Sequence, residues 1–358
     1  MDMVTMNILE STMVSICREM GITLMKTSYS TIFNEALDFT CGLADRNGDM
    51  IAVADYCPAQ IGGMPLLVKS CMREMPLDEL EDGDIILHND PYRGGLHTPE
   101  HTFFKPIFVE GEMVGWAVAI GHLAEVGGMA PGGFCGEATE IFQEGLRIPP
   151  VKIKSRGKDN RDVWKLLLAN VRTPRSNYGD LRALIAAVDL GERQMKQVYA
   201  KYGKEKMLST VNDLLLYSER RMRAELEAIP DGIYAFDDLI ESDGIDADRR
   251  YLVQVEVHKR GGEIIVDYTG SSPQAAGPIN ATLGVATSAA YNAVLHMTDP
   301  SIPRNSGCFR PIRVVAPPGT IVNVDFPAPE VGGNTETHPR IVGTILGAMA
   351  KACLLYTS

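Results

Sequence analysis

Residues 97–128 read HTPEHTFFKPIFVEGEMVGWAVAIGHLAEVGG, and the fold is decided here. Segments 102–109 (TFFKPIFV) and 112–120 (EMVGWAVAI) are rich in β-branched and aromatic residues, and Glu110-Gly111 between them has turn chemistry. The spacing predicts two antiparallel strands. With a loop of those two residues, Glu100 lies opposite Gly121 and Pro99 opposite His122. His97, Glu100 and His122 then converge at the open end of the hairpin, with Glu125 close by. A slip of one residue moves side chains between faces but leaves all four groups at that mouth. A single histidine near a strand end is ordinarily a surface or core residue; here two occur, each with Glu three positions on. Imidazole and carboxylate donors without thiolate suit Zn²⁺, Mn²⁺ or Fe²⁺, and a set of three leaves a position open for water or substrate. His97, Glu100 and His122 are therefore the expected metal ligands.

Composition narrows the function classes. The chain has 358 residues, 45% hydrophobic and 22% charged, which is globular composition with room for one large or two smaller domains. A net charge of −12 argues against nucleic acid and anionic membrane surfaces as partners. Seven cysteines are dispersed without C-x-x-C spacing, as in reduced intracellular proteins. The N-terminus lacks the pattern of a secretory signal, and no uninterrupted apolar run is long enough to span a bilayer. A cytoplasmic location is expected.

Working outward from the hairpin, helical spacing of apolar residues predicts a helix over 5–26, and Asn47-Gly48 predicts a hairpin of 39–45 with 50–54. The run 45–49 has the acids of a calcium loop, but its Gly comes too early and no closing Glu follows, so calcium is excluded. A short helix is expected over 64–75, and a strand at 85–87 leads into His88-Asn89-Asp90-Pro91-Tyr92-Arg93-Gly94-Gly95. Asp90 there can act on a metal site or simply cap its own turn. The glycine-rich segment 127–136 has the amides to cradle an oxyanion, and residues 137–144 read as helical. Neither G-x-G-x-x-G after a strand nor G-x-x-x-x-G-K-[ST] occurs, so no nucleotide motif is present. Helical periodicity dominates 159–228; strands follow, including a hairpin around Gly261-Gly262, then a helix at 281–297, an extended segment at 312–326 and a helix at 339–351. The expected class is α+β, mixed helices with antiparallel β-hairpins. Expected divisions are a metal-bearing region 1–232, a mixed region 233–352 and a tail 353–358.

At 88–100 (HNDPYRGGLHTPE), 122–128 (HLAEVGG) and 143–150 (QEGLRIPP) the chain resembles the hydantoinase B/oxoprolinase family. Segments 277–281 (GPINA), 302–311 (IPRNSGCFRP) and 332–340 (GGNTETHPR) extend the resemblance over nearly the whole sequence. It implies a hydantoinase B-like fold and the metal-bearing subunit of an ATP-dependent enzyme that opens hydantoin or 5-oxoproline rings. Acetone and acetophenone carboxylases are related, which implies carboxylation of a ketone as an alternative activity. A hydantoinase A-like subunit is the implied partner, supplying ATP within a hetero-oligomer and accounting for the missing nucleotide motif. The family pattern has Asp where this chain has Glu100 and Glu125, while His97 and His122 are retained. Family length implies C-terminal truncation, and the tail CLLYTS at 353–358 reads as an adapter-derived translation.

Ring opening through a phosphorylated amide assigns provisional roles. A metal on His97, Glu100 and His122 supplies activated water. Glu125 or Asp90 serves as base or orienting partner, and Arg93 offsets developing negative charge. A third reading is a non-catalytic subunit in which the metal only staples the hairpin.

Overall fold

Residues 3–352 are described in the computed structural model; the tail expected at 353–358 lies outside the described residues. The chain opens with helices α1 (Met3–Thr27) and α2 (Thr31–Asn34), then the hairpin β1 (Phe39–Asp45) and β2 (Met50–Val53). Helix α3 (Pro58–Glu74) precedes β3 (Ile85–His88), the central hairpin β4 (Glu100–Val109) and β5 (Glu112–His122), and the short pair β6 (Val151–Ser155) and β7 (Lys158–Asp159). Three helices follow: α4 (Arg161–Ala169), α5 (Pro174–Tyr202) and α6 (Lys204–Glu227). Beyond them lie β8 (Gly232–Ile240), β9 (Tyr251–Arg260), β10 (Glu263–Asp267), α7 (Leu283–His296), α8 (Ser306–Phe309), β11 (Ile312–Val315) and α9 (Thr337–Ala350). The class is α+β. No helix among the described residues is long and apolar enough to cross a membrane.

Seven strands form one antiparallel sheet in the order β2-β1-β5-β4-β3-β6-β7, and four form a second in the order β11-β10-β9-β8. The β10–β11 pair is parallel, joined by the crossover through α7 and α8. In the large sheet, Phe104, Trp116, Val118 and Ile120 enter a core shared with α3, α7, α9 and the second sheet. Phe103, Ala117 and Ala119 enter a second core under α1, α5 and α6. Because both faces are covered, β5 is buried at every position after Glu112 and shows no alternation of polar and apolar residues. The second sheet begins at Gly232, where the composition changes, yet the first core draws residues from both sides of that position.

The central hairpin differs from expectation in one respect that bears on the site. Glu110 and Gly111 have φ of 52° and 80°, the two positive values of a type I′ turn. Val109 pairs with Glu112 and Phe108 with Met113, as a two-residue loop requires. A β-bulge between Ile107 and Phe108 then skips Val114, so Ile107 pairs with Gly115 and Glu100 with His122. The expected Glu100–Gly121 pairing is thus displaced by one residue. The bulge also turns Val114 into the second core although Trp116, two residues on, faces the first.

Other boundaries move for local reasons. Helix α3 starts at Pro58 rather than near 64: Gly62, Gly63 and Pro65 are residue types that weaken helices, but Gly62 is the contact with α7, where a Cβ would come within 2.7 Å of Ser288 Cα. Residues 137–144 form only a single 3₁₀ turn, Ile141–Gln143, closed by Gln143 reaching back to the backbone N–H groups of Thr139 and Glu140 while Glu144 turns inward. The segment expected to be extended over 312–326 ends as a strand at Val315, ahead of Pro317-Pro318-Gly319.

Candidate functional site

Glu100 begins β4 and His122 ends β5, so the bulged register sets them side by side. His97 lies in the preceding loop, and its carbonyl accepts the Glu100 N–H at 3.0 Å, a turn that holds the two residues together. His97 Nε2 is 3.2 Å from His122 Nδ1 and 3.6 Å from Glu100 Oε1; all three residues are buried. The Val331 carbonyl accepts from His97 Nδ1 at 3.1 Å. That assigns the proton of a neutral His97 to Nδ1 and leaves the Nε2 lone pair facing His122 and Glu100.

Three further segments close the cluster. Asp38, just before β1, takes the His122 N–H on its backbone carbonyl at 3.1 Å and places Oδ2 3.7 Å from His122 Nδ1. Gln60, in the first turn of α3, donates to both Asp38 Oδ1 (3.1 Å) and Glu100 Oε1 (3.0 Å). Asn334, ahead of α9, donates to His97 Nε2 at 3.3 Å and Glu100 Oε1 at 3.4 Å. The Asn334 segment reaches the cluster because Gly333 lets two backbones touch: a Cβ there would lie 1.9 Å from the Asn280 carbonyl oxygen. Phe134 stacks on His122, ring centroids 5.6 Å apart, and meets His97 edge-on.

The cluster is not satisfied within itself. Glu100 Oε2, Gln60 Oε1, Asn334 Oδ1 and the nearby His338 Nε2 are buried without a hydrogen-bond partner. An unpaired buried polar atom costs about 1–3 kcal/mol, so several in one place mark a position for something else to bind. Among the described residues, no group of three or more His, Cys, Asp or Glu side chains is arranged to hold a metal ion as it stands. The donor chemistry nevertheless fits one, since ligands about 2.1 Å from a cation are separated by about 3.0–3.4 Å, close to the His97–His122 and His97–Glu100 spacings.

Burial depresses the basicity of His97, but Glu100 and the Val331 carbonyl outweigh it and leave its pKa raised. His122 is pushed well down, by burial and then by His97 and His101. Asp38 is raised by burial and by the charge of Glu100. Burial also brings His338 down to about 4, so it is a neutral imidazole at physiological pH.

Glu125, Asp90 and Arg93 go elsewhere. Glu125 Oε1 accepts from Gly127 N (2.7 Å) and Arg172 Nη1 (2.8 Å), and Oε2 from Gly132 N (3.0 Å). Burial raises its pKa, but these amides and the guanidinium outweigh it and leave it lowered. Two amides of the glycine-rich segment thus bind Glu125. Asp90 caps the 3₁₀ turn Pro91–Arg93 by accepting from Tyr92 N at 3.1 Å, and its other oxygen is 3.2 Å from Arg93 Nε. Arg93 also pairs with Glu74. Asp90 and Arg93 line a neighbouring cavity rather than the histidine cluster.

Two further buried acids, Glu144 and Glu330, lie outside the expected set of site residues. Glu144 accepts the backbone N–H groups of Glu330 and Val331 at 2.8 and 2.9 Å, and Glu330 Oε1 accepts both N–H and O–H of Thr98 at 3.2 Å. Burial raises the pKa of Glu144 to about 8, and burial together with the charge of Glu144 raises that of Glu330 well above the ordinary carboxyl value. Glu144, Asn334 and His338 lie in segments matched to the family, which is a signal for them. Asp38 and Gln60 carry no local motif; only the folded chain finds them.

Comparison with known proteins agrees with this architecture. The hydantoinase B/oxoprolinase family matches residues 2–355. One component of a putative D-/L-hydantoinase from Pseudomonas sp. (strain NS671) is 33% identical, covering 98% of this chain and 61% of that protein. The crystal structure of an ATP-dependent caprolactamase from Pseudomonas jessenii superposes with a TM-score of 0.92 at 34% identity, over 98% of this chain and 60% of that one. A nucleotide-free acetone carboxylase shares the fold, with a TM-score of 0.87 at 23% identity over 93% of this chain and 46% of that one. The chain spans about three fifths of the length of the hydantoinase and caprolactamase chains.

Proposed function

The chain belongs to the hydantoinase B/oxoprolinase family, and on that premise we propose that it forms the ring-opening part of an ATP-dependent cyclic-amide hydrolase, with its reaction centre at the Glu100–His122 end of the central hairpin. The observation that carries this reading is the buried cluster of His97, Glu100 and His122 with its unpaired polar atoms. His97, Glu100 and His122 are the proposed holders of a divalent cation, Zn²⁺, Mn²⁺ or Fe²⁺, with Asp38 beside them. When bound, such a cation supplies Lewis acidity and a water of lowered pKa.

The remaining roles belong to the chain's own groups. Val331 fixes the tautomer of His97 so that Nε2 faces the centre. Gln60 and Asn334 orient the Glu100 carboxylate. Phe134 covers His122 and limits access of bulk water. Glu125 positions the loop that carries Phe134 by binding Gly127 and Gly132.

In this reading a hydantoinase A-like partner transfers the γ-phosphoryl of ATP to the amide oxygen, forming the O–P bond and releasing ADP. Water adds at the activated carbon, the ring C–N bond breaks, and a second water releases phosphate from the resulting carboxyl phosphate. Lactam, ATP and two waters thereby give the amino acid, ADP and phosphate. The test is reconstitution with such a partner and assay of hydantoin, 5-oxoproline and caprolactam. Stoichiometric ring-opened acid and ADP, lost in His97→Ala while fold and complex persist, is the expected result. ATP turnover that requires bicarbonate and a ketone overturns it in favour of a carboxylase.

A further inference from the structure

The tautomer of His97 depends on one carbonyl, that of Val331, and two bonds hold this residue in place. Val331 opens the 3₁₀ turn Val331–Gly333, so its N–H and that of Glu330 before it have no acceptor within the turn. Glu144 accepts both. Its Oε1 lies 2.8 Å from Glu330 N and 2.9 Å from Val331 N, and its Oε2 lies 2.9 Å from Glu330 N. On the other side of Val331, Gly332 N–H donates to the Pro278 carbonyl at 2.7 Å. Between these two anchors the Val331 carbonyl accepts from His97 Nδ1 at 3.1 Å.

A second set of bonds reaches His97 from its backbone. Glu330 Oε1 accepts the N–H and O–H of Thr98, each at 3.2 Å, and Thr98 follows His97 in the chain. The N–H of Glu330 is one of the two that Glu144 binds. Ring and backbone of His97 thus both trace to one carboxyl group. Glu144 is 0% exposed and, among the described residues, has no ion pair. A buried acid without a counter-charge is costly to keep, and the only hydrogen bonds its carboxyl makes are to these two amides.

The segment around Glu144 also meets the loop that covers the centre. Met129 N–H donates to the Gln143 carbonyl at 2.6 Å, and Leu146 N–H donates to the Val126 carbonyl at 2.8 Å. Residues 143–146 therefore lie between the loop that carries Phe134 and the loop that carries Val331. An apolar side chain at 144 would fill the same space but leave two buried amides unpaired. Glutamine keeps an Oε1, the atom that reaches both amides here. The requirement is for an acceptor rather than for a charge.

We infer that Glu144 is a positioning residue: by binding the amides of Glu330 and Val331 it holds the Val331 carbonyl against His97 Nδ1 and keeps His97 Nε2 turned to the cluster. The inference rests on the proposed cation-holding role of His97, but the tautomer is read on the full chain without cation, partner or ATP. Nitrogen-15 NMR of the imidazoles at alkaline pH, with His97 assigned from the spectrum of His97→Ala, reports which ring nitrogen carries the proton. The proton is expected on Nδ1 in the natural chain and in Glu144→Gln, and on both nitrogens in exchange in Glu144→Met. Calorimetry with Zn²⁺ alone should run parallel, with affinity kept in Glu144→Gln and weakened about tenfold or more in Glu144→Met. An unchanged tautomer in Glu144→Met overturns the inference. So does loss of the Nδ1 proton in a folded Glu144→Gln, which keeps the test decisive if the methionine variant does not fold. A natural chain that binds no Zn²⁺ while the tautomer follows residue 144 defeats the cation reading alone; Zn²⁺ binding with a tautomer indifferent to residue 144 defeats this inference alone.

Discussion

The two His-x-x-Glu segments at the mouth of the central hairpin have the same spacing and opposite fates. In His97-Thr-Pro-Glu100 the chain passes from loop into strand, and a tight turn holds Glu100 against His97 inside the cluster. In His122-Leu-Ala-Glu125 it passes from strand into loop, and Glu125 is drawn away by two glycine amides and Arg172. One glutamate keeps a buried oxygen without a partner; the other satisfies both. The lesson is that equal spacing specifies equal geometry only within one kind of backbone.

Substitutions at the two glutamates should therefore behave differently. Glu100→Gln should reduce ring-opening turnover by at least about 100-fold and abolish cation binding by calorimetry, with little change in the unfolding midpoint. Glu125→Gln should do the reverse. It should retain cation binding and cost about 1–3 kcal/mol in urea denaturation, because the buried Glu125 carboxylate loses its charge-assisted bonds to Gly127, Gly132 and Arg172. Arg172→Met should lower stability in the same direction, and the double variant should show coupling. Equal loss of cation binding in both glutamate variants would erase the contrast.

A smaller effect sharpens it from behind the cluster. Glu144 and Glu330 have raised pKa values in the folded state, so the folded chain holds more protons than the unfolded one between the ordinary Glu value of 4.5 and about 8. Their contribution to stability is complete below that window and is lost as pH rises through it. The melting temperature should fall by several degrees from pH 5 to pH 8, and Glu330→Gln should flatten the slope. Glu125→Gln should leave that slope in place, since the lowered pKa of Glu125 contributes stability above the usual carboxylate range and loses it only in acid.

How much was legible depends on range. Both strands, the two-residue turn at Glu110-Gly111 and the gathering of His97, Glu100 and His122 follow from residues within one hairpin. The bulge at Val114 was not legible, because its cause is packing: a strand covered on both faces shows no alternation whose change of phase would reveal it. Helix α3 was read too short because Gly62 serves contact with α7, 226 positions along the chain at Ser288, rather than a turn. That shortening hid Gln60, and with it one of the groups that orients Glu100.

By itself, then, the sequence determined the α+β class, the hairpin and the presence of two histidines and a glutamate at one end of it. Periodicity and turn chemistry act over a few residues and leave their pattern in the chain. Tertiary structure alone decided that Glu125 turns away to Gly127, Gly132 and Arg172, and that Asp38, Gln60 and Asn334 complete the cluster. Those relations depend on which backbones can approach and which buried polar atoms find partners, and both are settled only when distant segments pack.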